Sequence, residues 1–128
     1  MGRKTFETVC GFDGAWPYNV PVFVMSRTLE TIPEVYKDKV ELVKGSLTEV
    51  LQQNHSKGYH RLYIDGGVTI QNFIKEDLIE ELTITVIPIL LGGGSPLFSQ
   101  FSAALEFNLV ESKVFLNQLV QSHYKRKR

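Results

Sequence analysis

The stretch Ile64-Asp65-Gly66-Gly67-Val68-Thr69-Ile70 leads from an apolar, strand-like segment through two glycines into an apolar segment that favours a helix. A second junction of this kind opens the chain, Met1-Gly2-Arg3-Lys4-Thr5-Phe6-Glu7, where two basic residues follow the glycine. Helix N-termini present unpaired N–H groups and the positive end of the helix dipole, and therefore favour phosphate groups. Two such junctions, one of them basic, predict a site for a multiply phosphorylated ligand such as a nucleotide.

The composition is that of one globular domain, and we expect a single domain over residues 1–128. Lys and Arg number 14, as do Asp and Glu, so no broad electrostatic field favours nucleic acid or a membrane surface. Cys10 is the only cysteine, which excludes an intramolecular disulfide and fits a reducing cytoplasm. No metal site is expected, because the three histidines lack ligand spacing. The basic tail over residues 125–128 is expected to be a solvated end that frays.

The first part of the chain alternates between strand and helix signals. The pattern predicts helices over residues 2–9, 46–54 and from 67 or 69 through 74, and strands over residues 21–25, 40–43 and 60–64. Ser46 and Glu49 have the spacing of a capping box, which marks the start of the second helix. Alternating strands and helices are typical of a parallel sheet with crossover helices.

The second part of the chain is dominated by strand signals. A strand over residues 81–87 precedes the loop Gly92-Gly93-Gly94-Ser95-Pro96, and two alternating segments follow at residues 105–115 and 119–125, with a turn near 116–118. The expected fold is therefore α/β, with a mixed sheet that is parallel in its first part and ends in an antiparallel hairpin.

Four segments occur in the order seen in the dihydrofolate-reductase-like superfamily. They are Gly2-Arg3-Lys4-Thr5-Phe6-Glu7, Val24-Met25-Ser26-Arg27, Tyr63-Ile64-Asp65-Gly66-Gly67 and Ile87-Pro88-Ile89-Leu90-Leu91-Gly92-Gly93-Gly94-Ser95-Pro96-Leu97-Phe98. The chain resembles most the branch that holds the reductase domain of the bifunctional riboflavin-biosynthesis deaminase/reductase and its small stand-alone bacterial relatives. The resemblance covers essentially the whole chain and implies a three-layer fold of that superfamily.

The resemblance implies that the cofactor is NADPH, bound at the two junctions. Its adenosine end would lie against Gly2, Thr5 and the adjoining basic residues, with Arg3 or Lys4 and Ser26 or Arg27 contacting the 2′-phosphate. Gly66, Gly67 and the helix beginning at Val68 would take the pyrophosphate, to which Thr69 could donate its hydroxyl. The physical chemistry agrees, because a basic pair suits a dianionic phosphate and a Gly-Gly turn permits close backbone approach.

Four further expectations concern Asp65, Trp16, the Gly66–Gly67 peptide and the glycine-rich loop at residues 92–94. Asp65 is expected to cap the helix that follows it rather than to touch a ribose. Trp16 is expected to pack its loop rather than to close over the cofactor. The Gly66–Gly67 peptide is expected to be cis or otherwise strained, because glycine reduces the cost of a backbone conformation that aims N–H groups at a pyrophosphate. The Gly92-Gly93-Gly94 loop is either a flexible connection or, by resemblance, a segment near the substrate.

By resemblance, relatives carry a segment before the Gly2 junction that forms the first strand, a helix beside the substrate and a loop over the nicotinamide. The chain is accordingly expected to be an N-terminally truncated member in which that strand and helix are missing, and no residue is assigned as the catalytic acid. Loss of a central strand would leave apolar neighbours exposed at residues 22–24 or 62–64, and exposed apolar patches favour a partner. We therefore expect a homodimer, formed either through the two C-terminal strands or over the vacant strand position.

The leading functional hypothesis is an NADPH-dependent, cytoplasmic oxidoreductase that transfers hydride to a small heterocycle, a pterin or a ribosylated aminopyrimidine. A nucleotide-binding module without catalytic activity is the alternative, since half of the implied substrate site is missing. A third hypothesis is a truncated fold that survives only as a dimer and binds no ligand.

Overall fold

The computed structural model describes residues 1–128. It contains three α-helices and five strands, and its contacts cluster in two compact units, Met1–Ile70 and Gln71–Arg128. None of the helices combines the length and the apolar content that a membrane span requires.

The first unit is built on a small parallel sheet. Its elements are α1 (Arg3–Cys10), β1 (Val22–Met25), a 3-10 turn (Glu34–Tyr36), β2 (Val40–Val43), α2 (Leu47–Ser56) and the start of α3 (Gly67–Lys75), which runs on into the second unit. The two strands pair in parallel, with Met25 opposite Val43. Gly2 forms an isolated parallel bridge to Met25, whose N–H donates to the Met1 carbonyl over 2.8 Å. The chain therefore leaves the same edge of the sheet three times, after Gly2, Met25 and Val43.

The core of the first unit lies under α1 and the two strands. The buried residues of this core all have apolar side chains that face inward: Phe6, Val22, Val24, Ile32 and Val40. Val24 is completely buried, and the alternation of Val22 and Val24 along β1 is that of a strand with one face on the core. Trp16 packs against this core, with its ring centroid 6.4 Å from that of Phe6 and 5.0 Å from that of Tyr36, so the prediction that it packs its loop is supported.

Helix α2 begins where its capping box predicts. The Glu49 N–H donates to Ser46 Oγ over 3.2 Å, and the Ser46 N–H donates to Glu49 Oε2 over 2.7 Å. These two bonds satisfy donors that the helix itself leaves unpaired. The predicted helices at residues 2–9 and 67–74 and the strands at 21–25 and 40–43 are likewise confirmed, with boundaries that differ by at most one residue.

The second unit is an antiparallel sheet of β3 (Glu81–Val86), β4 (Phe107–Phe115) and β5 (Leu119–Arg126) in the order β3-β5-β4. The predicted hairpin is confirmed. At its turn Leu116 and Asn117 have φ of 53° and 55°, and the Gln118 N–H donates to the Phe115 carbonyl over 3.0 Å. Two successive positive φ angles match the right-handed twist of the flanking strands.

The basic tail departs from the prediction of a frayed end. Arg126 lies within β5 and donates from Nε to Asp77 Oδ1 over 2.7 Å and from Nη2 to Asp77 Oδ2 over 3.0 Å. Arg128 reaches the same carboxylate over 3.1 Å, and Lys127 pairs with Glu106 over 2.8 Å. The tail therefore begins inside a strand and continues past its end, held by carboxylates that the sequence places far away.

The α/β class with a parallel part and an antiparallel C-terminal hairpin is confirmed, but the strands belong to two sheets rather than one. The strand predicted over residues 60–64 is wrong, because these residues form no ladder. Their side chains do alternate, with Tyr63 90% exposed between half-buried Leu62 and Ile64. Alternating burial of side chains shows that one face of the segment is covered. A strand also needs a neighbouring strand that pairs with it in register. The exposure that was expected beside a missing strand is thus found at Tyr63. It is not found in β1, where Val22 and Val24 are buried.

Candidate nucleotide site

The two glycine junctions of the sequence meet in space. A Cβ built on Gly2 would lie 2.6 Å from Thr69 Oγ1, and a Cβ built on Gly66 would lie 2.5 Å from Thr5 Oγ1. Each glycine thus makes room for the threonine of the other junction, since real Cβ atoms do not approach so closely. Because Thr5 is in the first turn of α1 and Thr69 in that of α3, the two helix N-termini converge at one place.

The Gly66-Gly67 turn is shaped for close backbone approach. Gly66 has φ of +98°, in the left-handed region that favours glycine. The predicted cis peptide is wrong, since no peptide bond of the chain is cis; the turn is made instead by the positive φ of Gly66, which glycine adopts without steric cost. Gly67 is exposed, and nothing lies within 4 Å of the position that a Cβ would take. Its backbone is consequently open to a ligand at the first turn of α3.

Asp65 is engaged by a tyrosine. The Tyr18 hydroxyl donates to Asp65 Oδ2 over 3.1 Å in a partly buried position, and this contact ties the loop after α1 to the residue before Gly66. Burial raises the pKa of the Tyr18 phenol, and the hydrogen bond to Asp65 adds to that shift. Burial lowers the pKa of the Met1 ammonium, and the Asp65 charge offsets part of this effect. Nothing in the sequence indicated the tyrosine contact, which spans 47 positions of the chain.

The predicted basic residues lie just after the carboxyl edge of the parallel sheet. Arg3 follows Gly2 directly and is 3.7 Å from Glu7 one helical turn on, a surface pair that contributes little by itself. Arg27 is exposed two residues after Met25, and Lys4 is exposed in the first turn of α1. Sequence reasoning missed exposed Lys44, which follows Val43 at the same edge; its signal was a basic residue directly after a predicted strand.

Ser26 and Val68 occupy the site in different ways. Ser26 Oγ accepts from the N–H groups of Leu29 and Thr28 over 2.9 and 3.2 Å, so this hydroxyl orders the loop that carries Arg27. Val68 is 71% exposed at the start of α3 and offers its backbone there.

The Gly92-Gly93-Gly94 loop lies in the second unit. A shallow cleft of about 290 Å³ lies between Pro21, Lys39 and Tyr59, at the opposite edge of the parallel sheet, and mixes both signs of charge.

A parallel sheet whose carboxyl edge meets two helix N-termini, followed along the chain by antiparallel strands, is the architecture of the dihydrofolate-reductase-like class. More closely, the chain belongs to the RibD C-terminal domain family, whose model matches residues 8–121. The Gly2 junction precedes that match. A curated relative, the uncharacterized protein YwjB of Bacillus subtilis (strain 168), is 34% identical over 130 residues, covering 98% of this chain and 71% of that protein. YyaP of the same organism is 26% identical, and the match covers 53% of that protein's length.

Solved structures support the same fold. A protein from Shewanella sp. PV-4 that is named for riboflavin biosynthesis shares 54% of its sequence with this chain and superposes with a TM-score of 0.96, over 99% of this chain and 72% of that one. A pyrimidine reductase-like protein from Corynebacterium diphtheriae is 20% identical with a TM-score of 0.62, covering 83% of this chain and 50% of that one. RibD of Acinetobacter baumannii is 24% identical with a TM-score of 0.58, covering 83% of this chain and 31% of that one.

Proposed function

We propose that this chain is an NADPH-dependent reductase domain that acts on a small heterocycle, a pterin or a ribosylated aminopyrimidine. The observation that carries the proposal is the convergence of the α1 and α3 N-termini at Gly2, Thr5, Gly66 and Thr69. Unpaired N–H groups from two helices and the positive ends of two dipoles favour a ligand with adjacent phosphates. Membership of a reductase family and the riboflavin-related name of the 54%-identical structure support a dinucleotide cofactor and a heterocyclic substrate.

The residues present fit the phosphate-bearing half of such a cofactor. The exposed backbone of Gly67 and the Thr5 and Thr69 hydroxyls would hold the pyrophosphate, and Arg27 with Arg3 or Lys4 would hold the 2′-phosphate. NADPH supplies the hydride when bound. The part played by the chain's own residues is to bind and orient: the left-handed Gly66 aims the turn, and the Tyr18–Asp65 bond steadies the residue before it.

Selectivity for the 2′-phosphate tests the proposal through Arg27. Arg27→Ala is expected to weaken NADPH binding by roughly 1–3 kcal/mol and to leave NADH binding nearly unchanged, because only NADPH carries the charge that the guanidinium pairs with. Binding is measured by nicotinamide fluorescence. Lys39→Ala is the matched control, since it removes one positive charge at the opposite edge of the sheet. Equal weakening of both cofactors by Arg27→Ala would show that Arg27 does not contact the 2′-phosphate.

A second assay separates a reductase from a nucleotide-binding module. NADPH oxidation is followed with a panel of pterins and aminopyrimidine ribosides. Turnover of any of them supports the reductase. Binding of NADPH without turnover across the panel supports the non-catalytic module, and absence of NADPH binding contradicts both functions.

We also propose that the chain forms a homodimer through the second unit's sheet. Val86 and Val114 both pair with Val120 across the strands, so the three side chains form one row on the same face. They are 59%, 65% and 41% exposed. Adjacent exposed apolar side chains on a sheet are typical of a surface that a partner covers.

A further inference from the structure

The end of α2 brings together two histidines that the sequence leaves five positions apart. His55 lies in the last turn of α2, and His60 follows the turn that ends the helix. Their ring centroids are 5.3 Å apart, and the ring planes are inclined by 39°. The spacing of the histidines in the sequence did not indicate that the fold places this pair side by side.

The backbone holds this arrangement in place. The N–H groups of Lys57 and Tyr59 donate to the Asn54 carbonyl over 3.1 and 3.0 Å, and the Gly58 N–H donates to the His55 carbonyl over 3.0 Å. Gly58 has φ of +91°, which reverses the chain. Three hydrogen bonds and a left-handed glycine thus set the path from one histidine to the other, in the manner of a helix C-cap.

Both imidazole rings are exposed. None of the hydrogen bonds and ion pairs of this unit involves their ring nitrogens. His123 differs, since its Nε2 lies 3.0 Å from Glu81 Oε2. A pair of accessible, unengaged imidazoles is a donor set that divalent late transition metals prefer.

The separation of the rings allows both of them to reach one ion. With Zn–N bonds of about 2.0–2.1 Å, the metal lies about 3.2 Å from each ring centre, and a tetrahedral angle puts the two centres about 5.2 Å apart. A right angle, as in square-planar coordination, would bring them to about 4.5 Å. The observed 5.3 Å agrees with the tetrahedral case.

We propose that His55 and His60 form a two-histidine site for a tetrahedral divalent ion, with Zn²⁺ as its ligand. No third His, Cys or carboxylate completes the cluster, so water or a small external ligand occupies the remaining coordination positions. The site is separate from the glycine junction and does not depend on the proposed function.

The test is titration of untagged, full-length chain with ZnCl₂ by calorimetry, and with Co²⁺ by visible absorption, where tetrahedral coordination gives intense bands. One saturable equivalent is expected. His55→Ala and His60→Ala should each weaken binding at least tenfold, and His123→Ala should leave it unchanged as the matched control. Circular dichroism checks that each variant folds, which is expected because both rings are exposed.

A fourth variant tests the role of the turn. Gly58→Ala retains both ligands and meets no atom within 4 Å, but it strains the φ of +91°. It should therefore weaken Zn²⁺ binding without abolishing it. Absence of saturable binding to the wild type, unchanged binding by either His→Ala variant, or loss of binding in His123→Ala would each overturn the site.

Discussion

Replacing Gly66 by alanine tests why the junction uses glycine. A side chain at φ of +98° costs roughly 1–2 kcal/mol in backbone strain. Its Cβ would also lie 2.5 Å from Thr5 Oγ1, so Thr5 must turn away from its rotamer at a cost of about 0.5–1.5 kcal/mol. Gly66→Ala is therefore expected to lower the free energy of unfolding by about 2–3 kcal/mol.

Gly58→Ala is the matched control for this variant. Gly58 has a similar φ of +91°, but nothing lies within 4 Å of its Cβ position, so only the strain of about 1–2 kcal/mol applies. Urea unfolding followed by the fluorescence of Trp16 reports on the first unit, because Trp16 is the chain's only tryptophan. Gly66→Ala should also weaken NADPH binding at least tenfold through the displaced Thr5, whereas Gly58→Ala should not.

A double variant isolates the close contact. In Gly66→Ala with Thr5→Ala, Oγ1 is removed and the nearest remaining atom, Thr5 Cβ, is 3.5 Å away, an ordinary contact. The double variant should be about 1 kcal/mol more stable than the sum of the single effects predicts. Equal losses for Gly66→Ala and Gly58→Ala, together with additivity in the cycle, would refute the reasoning.

Three further predictions concern the rest of the chain. The hydrogen bond from Arg126 lowers the pKa of Asp77, so this carboxylate stabilises the fold above about pH 4, and that contribution is lost as the pH falls through its lower folded-state value; Asp77→Asn should flatten the acid limb of a circular-dichroism pH titration. Ser46→Ala removes the cap of α2 and should cost about 1 kcal/mol in urea unfolding, and an intact midpoint would contradict the role of the capping box. Sedimentation at micromolar concentration should show a dimer that Val120→Lys dissociates, whereas a monomeric wild type would exclude the proposed sheet interface.

Local chemistry made much of the first unit predictable. The Ser46–Glu49 capping box, the apolar spacing of α1 and the apolar runs of β1 and β2 act over a few residues, so the sequence alone indicated these elements. The hairpin of β4 and β5 is also local, and its turn was predicted at the residues where it occurs.

Contacts between distant residues were decided by the tertiary structure. The sequence by itself determined that Gly2 and Gly66 are turn residues beside helix starts, and the resemblance suggested one ligand for both. Only packing placed each glycine against the other junction's threonine, joined Tyr18 to Asp65, anchored Arg126 on Asp77 and set His55 beside His60. The same cause left residues 60–64 without a ladder, because a strand is completed by a neighbour in register, and a single segment cannot specify that neighbour.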